Sequence, residues 1–143
     1  MSDSIGLIKV DKTEEHVSVL YEFVINRDHN ISNTILPSYE EHKKFVHSHP
    51  YRCWYLIRKD SQFIGAIYLL KSNNIGASTI SGCEKYIGQA IQRLVSKYKP
   101  LPAIKSVRAS VFSINTNPEN YDLILELEKL GAKLIQQTYV LKQ

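Results

Sequence analysis

The feature that most constrains this fold is a segment near the middle of the chain, residues 87–98, whose apolar residues recur at helical spacing. Lys97 and Lys99 lie at its carboxyl end before Pro100, where positive charge suits the negative end of the helix dipole. A helix with one apolar stripe has to bury that stripe against another layer of structure. The stripe consists of Ile87, Ala90, Ile91, Leu94, Val95 and Tyr98.

Four predicted strands precede this helix. Residues 53–57 and 63–70 are rich in aromatic and β-branched side chains, and the polar turn at 59–62 joins them, which predicts a hairpin. Residues 7–10 form a first strand, and residues 77–80 form a short strand that leads into the helix. The chain therefore supplies several strands on which the apolar stripe can pack.

Three further helices are predicted from their end signals. Thr13 caps a helix that reaches Asn26, and Ser38 begins a second helix with a capping box. Pro118 suits the first position of the last helix, and Gly131 suits the left-handed residue that closes it.

Two strands are predicted after the central helix, at residues 104–112 and 134–141. The element order is then β-α-α-β-β-β-α-β-α-β. Strands that first cluster and then alternate with helices are typical of a mixed sheet with helices on its faces. We expect one α/β domain over residues 1–143.

Composition excludes several classes of protein. The 43% hydrophobic and 22% charged content of the 143 residues is that of a globular chain. Cys53 and Cys83 have no CxxC partner, which indicates reduced thiols. The N-terminus is polar and unlike a signal peptide, and the longest apolar run, 63–70, is too short to span a membrane. We expect a cytoplasmic protein with no membrane association.

The net charge of +4 favours an anionic ligand, but the lysines and arginines are scattered rather than clustered. A nucleic-acid interface is therefore not expected, and a small anion such as a nucleotide fits the charge equally well. His47 and His49 have no third or fourth partner at a metal-ligand spacing, so no metal is expected.

The junction between the strand at 77–80 and the central helix is a candidate anion site. A helix N-terminus presents free N–H groups and a positive dipole end. Gly82 and Gly88 permit close backbone approach, and Lys85 adds a positive charge. A simple tight turn, with one glycine kept for packing, explains the same residues.

Taken with the strand order, several segments resemble the GNAT superfamily of CoA-dependent N-acetyltransferases, over about residues 7–141. The segments are 80–90, 117–120 and 128–132, while 48–57 and 63–65 look like small bacterial members, some of which are associated with amino sugars. The resemblance implies a GNAT-like mixed sheet and acetyl-CoA as co-substrate, with no metal.

The resemblance also implies which residues contact CoA. In that family, alternate glycines after the strand let backbone amides hold the pyrophosphate. Here Gly88 matches, whereas Glu84 and Tyr86 replace glycines, so we expect both to weaken CoA binding. Asn120 takes the place of an asparagine that contacts the pantetheine arm. The implied CoA-binding residues are Ile80, Gly82, Lys85, Gly88, Gln89 and Asn120.

The reaction of the family is attack of an amine on a thioester, which needs a base, a polarising amide and an acid. The amide would come from the strand near Ile80. The candidate bases are Glu84, His49 and His29. Two roles stay open for Glu84, which is either the base or an obstruction to CoA binding. Leu127 stands where the family often has a tyrosine acid, and Tyr139 on the last predicted strand is the candidate replacement.

The polar loop 29–34 has no periodicity of its own and is the predicted acceptor side of the site, through His29, Asn30 and Ser32, together with Arg52. The resemblance implies transfer of an acetyl group to a primary amine of a small molecule, with an amino sugar as one candidate. The alternative is a catalytically inactive GNAT-like domain that binds a ligand or partner. A homodimer stays open.

Overall fold

The computed structural model describes residues 4–27 and 35–143 and contains a five-stranded sheet in the order β1-β2-β3-β4-β5. The first four strands are antiparallel neighbours, and β5 runs parallel to β4. The predicted mixed sheet is therefore confirmed. The strands are β1 (Gly6–Lys9), β2 (Cys53–Lys59), β3 (Gln62–Leu69), β4 (Asn74–Thr79) and β5 (Ser113–Ile114).

Four helices accompany the sheet, and their caps are largely the predicted ones. The Thr13 hydroxyl accepts from the His16 N–H, and Ser38 forms a full capping box with Glu41. A single 3-10 turn, Glu84–Tyr86, leads into the third helix. The helices are α1 (Glu14–Ile25), α2 (Tyr39–Ser48), α3 (Ile87–Lys97) and α4 (Tyr121–Lys129).

The sheet separates two apolar layers. On one face, Trp54 and Leu56 of β2 pack against Val17 and Leu20 of α1 and Val46 of α2. On the other face lies the predicted stripe of α3, whose residues Ile87, Ala90, Ile91 and Leu94 are buried with Tyr55, Ile57 and Ile67. Because strand side chains alternate between faces, β2 and β3 contribute to both layers.

Asn73 fastens the turn between β3 and β4 to the segment before β5. Its side chain is fully buried, and its amide nitrogen donates to the carbonyls of Leu101 (3.0 Å) and Ala109 (2.8 Å). Its amide oxygen accepts from the Leu101 N–H at 2.8 Å. With φ at 71°, Asn73 also adopts the left-handed backbone that asparagine tolerates. One side chain therefore fixes where β5 begins.

Three predictions about the last third of the chain are wrong. Residues 104–112 are not a strand, since Ile104 and Arg108 bridge around a turn in which Ser106 has φ 65°. Pro118 lies outside α4, because the Asn117 side chain accepts from the Glu119 N–H in a turn and Asn120 caps the helix instead.

The predicted strand at 134–141 is the third. Every residue from 131 to 143 is exposed, and none belongs to the sheet. Gly131 does close α4 in the predicted left-handed conformation, with φ 80°. An apolar segment becomes a strand only when a partner strand pairs with it, and residues 134–141 have none within the described part of the chain.

Among the residues described, no helix combines the length and apolar character needed to cross a bilayer. Within the same ranges, no group of three or more histidine, cysteine, aspartate or glutamate side chains is placed to hold a metal ion.

Candidate active site

A cleft opens where β4 and β5 separate. The two strands pair only at Asn74 with Ser113 and Ile75 with Ile114, after which the chains diverge. The resulting cleft has a volume of about 690 Å³ and is lined by β4, the first turn before α3, residues 115–117 and the end of α1. That volume lies within the range of small-molecule sites.

Beyond Ile75, β4 presents an unpaired backbone edge to this cleft. The N–H of Ile80 donates to the carbonyl of Ile64 at 2.8 Å, and the N–H of Leu70 donates to the carbonyl of Asn74. Even-numbered residues of β4 therefore point their amides at β3, and the alternation of an antiparallel ladder points those of Ala77 and Thr79 into the cleft. These two amides are available to a ligand.

The polarising amide is predicted on the strand near Ile80. Ile80 lines the cleft, but its own N–H is used in the sheet. The amides of this strand that face the cleft are those of Ala77 and Thr79. The Thr79 hydroxyl oxygen is also buried with no hydrogen-bond partner among the residues described.

Gly76 shapes the α1 side of the cleft. A Cβ atom at this position would lie 2.1 Å from Cζ of Tyr68, so only glycine lets the Tyr68 ring lie across β4. Tyr51 stacks on the other side of that ring, with centroids 4.1 Å apart and planes 4° from parallel. Burial against Tyr68 raises the pKa of Tyr51 above its usual range. The two rings form a stacked pair, of which Tyr68 lines the cleft.

The carboxyl end of α1 supplies polar groups to the same side of the cleft. Glu22, Phe23, Asn26 and Arg27 line it there. Glu22 and Glu84 are the two carboxylates among the described lining residues, and they lie on opposite faces of the sheet, one on α1 and the other before α3.

On the α3 side, the carboxylate of Glu84 places a negative charge at the junction between β4 and α3. Its carboxylate accepts from the Gly82 N–H at 3.0 Å, and Gly82 has φ 91°. Glu84 thus takes a backbone donor that an anionic ligand would use. Tyr86, expected to obstruct the junction, is instead buried in the core, so the obstruction is confined to Glu84.

The other predicted CoA-binding residues are dispersed around this junction. Asn120 lines the cleft while its side chain caps α4 by accepting from the Leu123 N–H at 3.4 Å. Gly88 is buried, with Glu126 and Leu130 as its neighbours. Lys85 is exposed with its ammonium over the Tyr86 ring, and Gln89 is half-buried on α3.

His49 and Tyr139, two of the predicted catalytic residues, are not among the residues that line the cleft. His49 caps α2, where its Nδ1 accepts from the Tyr51 N–H at 3.1 Å and burial lowers its pKa. Tyr139 is exposed on the unpaired C-terminal segment. Neither geometry provides a base or an acid at β4.

Arg52, predicted on the acceptor side, lies near the end of α3. Its guanidinium donates to the Lys99 carbonyl at 2.8 Å and lies over the Tyr98 ring. It is not a lining residue either. The predicted acceptor residues His29, Asn30 and Ser32 lie outside the described residues.

Sequence reasoning missed Glu22, Arg27, Tyr68 and Gly76 as site residues. Glu22 and Tyr68 lie inside a predicted helix and a predicted strand, and no motif in the sequence marks either of them. The glycine in the strand 74–79 was a usable signal, because glycine inside a strand often marks close approach of another group.

Comparison with known proteins rests on structure, since no family model and no curated protein matches the sequence. The fold matches Campylobacter jejuni N-acetyltransferase PseH in complex with acetyl coenzyme A, with TM-score 0.63, 12% identity, and coverage of 94% of this chain and 92% of that chain.

Two further solved structures give the same fold. The ribosomal-protein α-N-acetyltransferase RimL in complex with coenzyme A has TM-score 0.65 and 20% identity, covering 90% of this chain and 79% of that one. The microcin self-immunity acetyltransferase MccE, with acetyl-CoA and AMP, has TM-score 0.61 and 14% identity, covering 91% and 79%. The chain therefore has the fold of the GNAT N-acetyltransferases.

Proposed function

We propose that the protein is an acetyl-CoA-dependent N-acetyltransferase whose reaction takes place at the open edge of β4. The observation that carries this is the pair of unpaired amides at Ala77 and Thr79, facing a cleft between diverging strands. An extended thioester arm can pair with such an edge as an added strand would. The structural neighbours bound to CoA or acetyl-CoA support the choice of donor.

In this proposal, the donor and the acceptor bind at different sides of the cleft. The nucleotide end of the donor lies toward the start of α3, where the helix dipole favours negative charge. The acceptor enters from the α1 side, between Arg27 and the ring of Tyr68, which Tyr51 supports by stacking.

The chemistry then assigns roles to residues in the cleft. Glu22 accepts the proton of the attacking amine, directly or through water, because it is the carboxylate on the acceptor side. The amide of Ala77 or Thr79 donates to the thioester oxygen as negative charge develops on it. The new amide bond forms as the carbon–sulfur bond breaks, and the thiolate leaves toward α4.

For the acceptor we propose a primary amine of a small molecule, with an amino sugar as the first candidate. The structural neighbours differ in their acceptors, since RimL is an α-N-protein acetyltransferase that acts on a ribosomal protein. The support for a small acceptor is the shape of the α1 side, where Tyr68 lies across β4 and leaves a walled cleft rather than an open groove.

The test is release of free thiol from acetyl-CoA with a panel of acceptors, containing amino sugars, free amino acids and short peptides with a free α-amine. We expect turnover with amino sugars above that with peptides. Glu22→Gln should lower kcat by about a hundredfold or more without weakening acetyl-CoA binding. The matched control is Glu15→Gln, an exposed glutamate of the same helix. Preference for the peptides would contradict the acceptor assignment.

A second candidate function is ligand binding without turnover. It is favoured by two observations: Glu84 already occupies the Gly82 amide, and Leu127 packs against the core where a tyrosine acid would be needed. This candidate predicts a thermal shift with acetyl-CoA and no thiol release with any acceptor. Thiol release that depends on the acceptor and on Glu22 would exclude it.

A further inference from the structure

Two side chains of opposite charge line the α1 side of the cleft. Glu22 belongs to the last turn of α1, and Arg27 follows two residues after the helix ends. Both are exposed, and Arg27 is the only lysine or arginine among the described lining residues. Within the described ranges, neither side chain forms an ion pair, with the other or with a third residue. A bound acceptor can therefore neutralise both charges.

The stacked tyrosines show where the Arg27 charge acts. Burial raises the pKa of Tyr51, and the positive charge of Arg27 is close enough to oppose that rise. Tyr51 stacks on Tyr68, whose hydroxyl lies over Gly76 of β4. A guanidinium and a phenol hydroxyl, both hydrogen-bond donors, thus lie on the acceptor side of the cleft.

The donor does not account for Arg27. In the proposed arrangement, the phosphates of acetyl-CoA lie near the start of α3. The helices α1 and α3 pack on opposite faces of the sheet. Arg27 follows α1 and therefore lies on the face away from those phosphates, where the acceptor binds.

The end of α1 is itself unfavourable for an anion. The last carbonyls of a helix carry partial negative charge, which attracts an ammonium group and repels a phosphate or carboxylate. The last turn of α1 contains no basic residue. The acceptor side thus offers a place for a cation at Glu22, and it offers a place for an anion only because Arg27 is present.

We propose that the acceptor carries an anionic group, a phosphate or a carboxylate, in addition to the reacting amine, and that Arg27 binds this group. The inference rests on the proposed function, because it names the substrate class of the same site. A guanidinium donates two parallel N–H bonds to either anion. Five residues along a helix rise about 7.5 Å, so an anion several bonds away from the amine, as in a sugar phosphate, suits the separation of Glu22 and Arg27.

The experiment compares kcat/KM for glucosamine with that for three anionic amino sugars, measured by thiol release from acetyl-CoA. Glucosamine 6-phosphate and glucosamine 1-phosphate carry the phosphate at different places, and muramic acid carries a carboxylate instead. At least one of the three should exceed glucosamine by about tenfold, since charge-assisted bonds to arginine are strong. The best of the three identifies the anion and its position.

Variants of Arg27 test the assignment. Arg27→Gln should abolish the preference and leave glucosamine the better acceptor, because the end of α1 then repels the anion. Arg27→Lys keeps the charge and should keep part of the preference. Arg58→Gln removes the same charge at an exposed position outside the lining residues and should behave as the wild type. The KM for acetyl-CoA should not change, and a rise in Arg27→Gln would assign Arg27 to the donor and overturn the proposal.

Direct binding separates this inference from the proposed function. Calorimetric titration of the same sugars, with and without CoA, measures affinity in the absence of turnover. Binding of an anionic sugar that depends on Arg27, without thiol release, would uphold the inference and contradict the acetyltransferase. Thiol release with equal kcat/KM for neutral and anionic sugars, or an anionic preference that survives Arg27→Gln, would uphold the acetyltransferase and overturn the inference. Neither binding nor turnover would overturn both.

Discussion

The two ends of β4 lie only a few residues apart in sequence, but one end pairs with strands on both sides and the other with a strand on one side only. At its beginning, Asn74 and Ile75 pair with β5, and the buried Asn73 locks the adjoining turn to residues 101–109. At its far end, Ala77 and Thr79 pair with β3 on one side, while their other side faces the cleft and has no strand within the described residues. The cleft exists because Asn73 holds β4 and β5 together at one end. At the other end, no strand among the described residues pairs with the open side of β4.

The largest expected effect comes from breaking the anchored end. Asn73→Ala removes three buried hydrogen bonds and places alanine at a positive φ, so the free energy of unfolding should fall by about 3 kcal/mol or more. Chemical denaturation measures it. Lys71→Ala, in the same turn and exposed, is the control and should change stability by less than about 0.5 kcal/mol.

Asn73→Gly separates the two contributions at this position. Glycine keeps the positive φ but loses the side-chain bonds. If Asn73→Gly is as stable as the wild type, the anchor is a conformational effect and the hydrogen bonds do not hold β5.

The next effect comes from filling the open end. Gly76→Ala brings a Cβ into the Tyr68 ring, so the ring must move and the unfolding free energy should fall by about 1–3 kcal/mol, with weaker acetyl-CoA binding. Gly6→Ala, where a Cβ meets nothing within 4 Å, is the control. The double variant Gly76→Ala with Tyr68→Ala should recover part of the stability lost in Gly76→Ala, and no recovery would mean that the clash lies elsewhere.

The sequence predicted the parts of this arrangement that depend on local pattern. The caps at Thr13 and Ser38, the stripe of α3 and the hairpin of β2 and β3 follow from spacing and end signals within a few residues. The fold class followed from element order.

The parts that depend on distant contacts were not predictable in this way. The position of β5 is set by Asn73, which donates to the carbonyls of Leu101 and Ala109. These are 28 and 36 residues away in sequence. The residues that line the cleft include Glu22, Tyr68 and Asn120, which are far apart in sequence and are brought together only when the sheet folds. His49 has a suitable residue type for a base, but its ring packs beside Trp54 and Tyr51, away from the cleft.

A smaller effect is expected from the charge at the junction before α3. Glu84→Gln keeps an oxygen that accepts from Gly82 but removes the negative charge, so acetyl-CoA should bind about tenfold more tightly, or ~1.4 kcal/mol. Raising the salt concentration should reduce the difference in acetyl-CoA affinity between Glu84→Gln and the wild type. Calorimetric titration measures both, with the exposed Glu119→Gln as the control.

Turnover distinguishes the two roles that the sequence left open for Glu84. If kcat of Glu84→Gln equals or exceeds that of the wild type, Glu84 only limits donor binding. A collapse of kcat with tighter binding would make it the base, in place of Glu22.

The smallest effect concerns the layer of α1 and α2, away from the cleft. Burial lowers the pKa of His42, whose Nε2 lies 3.1 Å from the Val17 carbonyl. Since the unfolded state binds the proton more readily, the free energy of unfolding should decline as pH falls below about 6.5. Denaturation of wild type and His42→Gln across pH 5–8 tests it: the slope should be smaller in the variant, and identical slopes would assign the titration to another group.

The most direct test of the account is hydrogen exchange at single amides of β4, with and without acetyl-CoA. The amides of Ala77 and Thr79 face the cleft, whereas those of Ser78 and Ile80 point at β3. The account predicts that Ala77 and Thr79 exchange fast in the free protein and are protected by acetyl-CoA, while Ser78 and Ile80 are slow in both states. Binding that leaves Ala77 and Thr79 unprotected, or no binding at all, would contradict the claim that this open edge is the donor site.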